Sequence, residues 1–87
     1  MKIKTVNASI SKILFQTSDF YLCGYLLAKG MRFVKTIKIS EKKVIFCLED
    51  NPDRPQHISD YFSHKGLVDA LEYKNKIGDL KTMLYNS

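Results

Sequence analysis

Residues 19–30 read DFYLCGYLLAKG, and how this stretch is read decides the fold. From Phe20 to Ala28 no residue carries a charge, and only Gly24 is neither apolar nor aromatic. A membrane anchor, a buried core helix and a binding surface are the three readings. Asp19, with Thr17 and Ser18 before it, offers an N-cap oxygen and suits the positive end of a helix. Lys29 suits the opposite end, and Gly30 supplies the left-handed residue that closes helices. The pattern predicts a helix from about Asp19 to Lys29. At 1.5 Å per residue it spans about 17 Å, too short for a bilayer core of about 30 Å. Tyr21, Leu22, Cys23, Tyr25, Leu26 and Leu27 cover every side, so the helix lacks the polar face of a surface anchor. We read it as the central core helix, with a sheet on one side and helices on the other.

Outward from this helix, RFVKTIKIS (residues 32–40) alternates as a strand does. Phe33, Ile37 and Ile39 share one parity, broken by Lys35; Arg32, Val34, Thr36 and Lys38 share the other. After a turn at Ser40-Glu41-Lys42-Lys43, VIFCLED (residues 44–50) is apolar on both parities, as in a central or doubly covered strand. The two form an antiparallel hairpin. Asn51-Pro52-Asp53-Arg54-Pro55 is a breaker. Asp53 is then placed to cap a helix over HISDYFSHK, with Pro55 in its first turn, ending near Gly66. In a longer second helix, Ala70, Tyr73, Ile77, Leu80 and Leu84 are spaced as a seam, widened by Leu67, Leu71 and Met83. Glu72 and Lys76 make an i,i+4 pair. Gly78 in its middle reads as a point of close packing. Upstream, Lys12 to Gln16 is a short strand. The expected fold is a small single α+β domain of order (β)-α-β-β-α-α, its hairpin packed against helices. Residues 1–15 are an N-terminal extension into which that strand reaches, and residues 16–87 form the domain.

The chain has 87 residues, 45% hydrophobic and 26% charged, which suits one small folded domain and argues against disorder. Net charge is +5, unevenly spread. Residues 1–43 hold nine basic and two acidic residues, a net +7; residues 44–87 hold five basic and seven acidic, a net −2. Cys23 and Cys47 sit in apolar runs and read as buried, reduced thiols. No apolar run follows Lys2 and Lys4, so no secretory leader is expected and the expected location is cytoplasmic.

Three stretches resemble a family of small, functionally uncharacterised bacterial and phage-borne proteins. They are Thr17-Ser18-Asp19-Phe20-Tyr21-Leu22 with Tyr25-Leu26-Leu27-Ala28-Lys29-Gly30; Phe46-Cys47-Leu48-Glu49-Asp50; and Leu67-Val68-Asp69-Ala70-Leu71-Glu72-Tyr73 with Leu80-Lys81-Thr82-Met83-Leu84-Tyr85. Together they span most of residues 16–85. The resemblance implies a phage or mobile-element setting and carries over no catalytic residue.

The residues offer little for catalysis. His57, Asp60 and His64 fall near one face if one helix holds all three, but no CxxC, HxxxH or HExxH accompanies them, and no metal site is expected. Glu49, Asp50 and Asp53 read as a strand end and helix cap. The four glycines are dispersed, so there is no phosphate loop. We expect no enzyme, no catalytic residue and no cofactor.

The functional candidate is the basic hairpin. Arg32, Lys35, Lys38, Lys42 and Lys43 could follow a phosphate backbone, which makes DNA or RNA the expected partner. Arg32 and Lys38 are expected on one strand face, with Thr36 between them. The alternative is a protein-interaction module, such as a phage-encoded inhibitor of a host or defence protein. It could also self-associate as a homodimer through the C-terminal seam. Tyr21, Tyr25, Tyr61, Tyr73 and Tyr85 are its candidate anchors. A membrane partner is not expected.

Overall fold

Asp19 sets where the first helix begins. The computed structural model describes residues 13–86. In it the Leu22 amide donates to Asp19 Oδ1 at 3.0 Å, and the Asp19 amide donates to Thr17 Oγ1 at 3.1 Å. Helix α1 then runs Phe20–Ala28. It closes where Gly30 turns to φ +104°, with the Gly30 amide on Leu27 O and the Met31 amide on Leu26 O. These two bonds satisfy carbonyls that the helix end would otherwise leave open. Met31 folds back into the core. Leu22 to Leu27 are six buried residues in a row. Among the described residues no helix is long and apolar enough to cross a membrane.

The strands are β1 (Leu14–Thr17), β2 (Arg32–Ser40) and β3 (Lys43–Glu49). They form one antiparallel sheet of order β1-β3-β2. The central place of β3 explains its apolar residues on both parities, since Phe46, Cys47 and Leu48 are all buried. Helices α2 (Arg54–Phe62) and α3 (Ala70–Tyr85) complete the β-α-β-β-α-α order. The fold is α+β, as the sequence predicts. No described element follows the chain before Ile13, so most of the expected N-terminal extension lies outside the described residues.

The expected alternation along β2 does not hold. Its register with β3 skips Val34, and skips again at Ile39. Phe33, Thr36 and Lys38 therefore lie opposite Leu48, Phe46 and Val44, on the helix side of the sheet. Arg32, Lys35 and Ile37 lie opposite Glu49, Cys47 and Ile45, on the outer side. A bulge inserts one residue and reverses the parity of everything after it. Ile37 and Ile39 are consequently not core residues of the helix side, and Ile39 is 59% exposed.

The core lies between that sheet face and the helices, around Leu22, Leu26, Phe46, Leu48 and Leu80. Helix α1 packs against both α2 and α3. In α3 the inward side is Tyr73, Ile77, Leu80, Met83 and Leu84. Ala70 and Leu71 are exposed, as is Leu67 ahead of the helix, so the seam is narrower than its spacing suggests. The Asp69 carboxylate caps this helix by accepting from the Glu72 amide at 2.9 Å. Glu72 and Lys76 pair at 3.6 Å.

The glycine that permits close packing is Gly24, not Gly78. A Cβ on Gly24 would stand 2.5 Å from Ile77 Cδ1 of α3, whereas one on Gly78 would meet nothing within 4 Å. Only a side chain of hydrogen lets the Ile77 side chain come this near the α1 backbone.

Helix α2 starts differently from the expectation. Asp53 holds the N-cap position in helical backbone geometry and makes no side-chain cap bond. The fixing interaction is at Arg54, whose Nε and Nη2 donate to the two carboxylate oxygens of Asp50 at 3.0 and 3.1 Å. The same guanidinium lies 4.5 Å over the Phe15 ring. One side chain thus ties β1, the end of β3 and α2 together. These donated hydrogen bonds hold the Asp50 carboxyl below its ordinary range, against the opposing pull of burial.

Two predictions follow from glycine contacts. Gly24→Ala lowers the urea midpoint, with a loss of stability of about 1–3 kcal/mol for an overpacked core, and Ile77→Val in the same chain recovers part of that loss. Gly78→Ala raises stability by about 0.5–1 kcal/mol, the helix-propensity difference. A third concerns pH. Because the folded carboxyl is depressed, the Asp50–Arg54 contribution is complete above the unfolded carboxyl pKa and is lost as pH falls through the folded value. Asp50→Asn therefore destabilises at neutral pH and flattens the acid limb of a stability-against-pH curve; an unchanged limb contradicts the assignment.

Candidate functional site

Two sequence features bring the basic residues of the hairpin together. Strand β2 supplies Arg32, Lys35 and Lys38 in seven residues, and the turn supplies Lys42 and Lys43. The turn is held by the Lys42 amide donating to Ser40 Oγ at 3.3 Å. All five are exposed. Arg32 approaches Glu49 Oε1 at 3.8 Å, while Lys35, Lys38, Lys42 and Lys43 make no ion pair with any described residue.

The bulge at Val34 divides these five. Arg32, Lys35 and Lys43 belong to the outer face, Lys43 because it shares the parity of Ile45, Cys47 and Glu49 and pairs with Ser40. Lys38 and Lys42 turn to the helix side. There, with Thr36, Glu41, Val44 and Leu84, they line an open cavity of about 320 Å³. Arg32 and Lys38 therefore do not share a face. Exposed Gln16 of β1, opposite Cys47, joins the outer face.

The five tyrosines separate sharply. Tyr25 is 3% exposed and is a core residue, not an interface anchor. Its ring packs 5.0 Å from that of Tyr61 and lies against Gly66, and its buried hydroxyl has no hydrogen-bond partner among the described residues. Burial, then the nearby Asp60 charge, raises its pKa. Tyr61 is half-buried. Tyr73 is half-buried too, and its hydroxyl donates to Tyr21 O at 3.4 Å. Tyr21 and Tyr85 are open to solvent, Tyr85 at 91%. The seam expected to meet a second copy is occupied internally by α1 and the sheet. The large apolar side chains left exposed near the helix ends are Phe62, Leu67 and Leu71.

His57, Asp60 and His64 do not share a helix face, because α2 stops at Phe62 and His64 lies beyond it at φ +66°. The Lys65 amide on Asp60 O closes that end. Of the acidic cluster, Glu49 faces Arg32 and Asp50 holds Arg54, while Asp53 is exposed. Among the described residues no three His, Cys, Asp or Glu side chains are grouped to hold a metal ion. Cys23 and Cys47 are free and buried. Burial, helped by the Asp19 charge, pushes the Cys23 thiol up to about 12, which leaves it a poor nucleophile at neutral pH.

Sequence reasoning missed the Asp50–Arg54–Phe15 group, although the four-residue spacing of Asp50 and Arg54 was available as a signal. It missed the bulge as well, for which Lys35 interrupting the apolar parity was the trace.

No curated protein and no solved structure matches the chain. A family model does, over residues 12–86, and its description is a domain of unknown function, DUF5659. The match takes in all six elements, from β1 to α3, and the hairpin with its basic residues. By this match the chain belongs to the DUF5659 family.

Proposed function

We propose that this chain is a non-enzymatic accessory protein of phage or mobile-element type, cytoplasmic, that contacts the backbone of DNA or RNA through its β2–β3 hairpin. The observation that carries the reading is the grouping made by the bulge: the exposed Arg32, Lys35 and Lys43 on one sheet face, the two lysines without an ion-pair partner among the described residues. Exposed ammonium and guanidinium groups in such an array attract phosphates and release the counterions condensed on them. Lys38 and Lys42 add positive potential from the other side of the hairpin. With no dense set of amide or arginine side chains on the outer face, the contact is to backbone and not to base edges.

The division of the five cations makes the reading testable by comparing two double variants. Binding of a labelled duplex or single-stranded oligonucleotide is measured by anisotropy over a salt series. Three phosphate contacts give a slope of about −2.7 in log K against log salt on duplex DNA. Lys35→Glu with Lys43→Glu removes most of the binding and flattens the slope, while Lys38→Glu with Lys42→Glu costs much less. Equal losses in the two variants, or no binding by the native chain, refute the outer-face assignment.

A further inference from the structure

We propose that the outer edge of β2 takes an acidic, extended segment of a protein partner as a fourth strand. At nine residues β2 is the longest strand of the sheet, and among the described residues it pairs only with β3. No backbone hydrogen bond from a described residue reaches its other edge. An edge of this kind presents a row of backbone donors and acceptors that another strand can satisfy. Edge β1, by contrast, is four residues long.

The regular part of the edge is Lys35 to Lys38, where four consecutive residues keep register with β3 between the skips at Val34 and Ile39. Its side chains choose the occupant. Lys35 stands on the outer face and Lys38 on the helix face, with Arg32 beside Lys35 and Lys42 beside Lys38. A second copy pairing along the same edge would bring lysines against lysines, which like-charge repulsion disfavours. Two bulges add a twist that suits neither a long nor a flat partner. A strand carrying carboxylates on both faces meets an ammonium on each. Val34 (47% exposed) and Ile39 flank the regular part, so apolar residues at the two ends of the segment find a contact.

This inference goes beyond the nucleic-acid reading and does not rest on it, although the two share Lys35. What separates them is the main chain: phosphate binding uses side-chain charge alone, whereas an added strand needs its own amide groups. The full chain is titrated with a labelled peptide of four consecutive glutamates flanked by valines, which sets carboxylates on both faces of a strand, with the same peptide N-methylated at alternate amides, and with its lysine-for-glutamate counterpart. The expected result is saturable binding of the first only, weakened by about tenfold or more in Lys35→Glu/Lys38→Glu through lost charge complementarity. Slowed amide exchange confined to residues 34–39 of β2 is expected on binding. Circular dichroism of the variant matching the native chain shows that the loss is not unfolding. Equal binding of the N-methylated peptide overturns the proposal, because it leaves only unspecific charge attraction. Binding of no peptide, or amide protection elsewhere in the chain, overturns it as well.

Discussion

Helix α1 has no polar face, and that constraint organises everything else. Six consecutive buried residues, Leu22 to Leu27, point in every direction around the helix axis. Each large apolar side chain among them contributes about 1.5–3 kcal/mol only if it is covered, and a domain has only about 5–15 kcal/mol of net stability to lose. A short chain can surround such a helix in few ways. Here a sheet face lies on one side and α2 and α3 on the others. The demand falls hardest on the contact with α3, where Gly24 gives up its side chain so that Ile77 can come in. The small core also explains why polar ties matter at its rim. Arg54 joins α2 to β1 and to the end of β3.

Much of this was legible in the residues because it is local. Caps are read over three or four positions, so Asp19, Gly30 and Asp69 announce the ends of α1 and the start of α3. The hairpin declares itself by a turn between two runs of β-forming residues. What was not legible depends on partners distant in sequence. Gly24 and Gly78 look alike until Ile77 is placed beside one of them. The Leu67 and Leu71 spacing fits the α3 seam, but nothing in the fold reaches far enough to cover them. Asp53 has the residue type of a cap, yet Asp50 reaches Arg54 first and fixes the turn in a geometry that leaves Asp53 facing solvent.

The candidate site shows the same division more clearly. Which residues are basic, and that they gather on a hairpin, is plain from the sequence. Which of them act together is decided by one extra residue. Without the skip at Val34, Arg32 would share a face with Lys38; with it, Arg32 shares a face with Lys35. Lys35 on the apolar parity was the sign of this: the bulge turns Lys35 outward and brings Lys38 to the open rim of the helix side in exchange. The bulge thus sets the charge pattern of the surface.

Burial also removes chemistry from the interior. The Cys23 thiol is held neutral and the Tyr25 hydroxyl is shut away from solvent. Strand β2 gives the core little, since of its apolar side chains only Phe33 packs against the core cluster. Its remaining side chains are free to be chosen for what they attract or repel. Four lysines and an arginine along a long edge strand and its turn satisfy two demands at once. They set like charge against like where copies of this edge would meet, and they gather positive charge on one strand of the sheet and its turn.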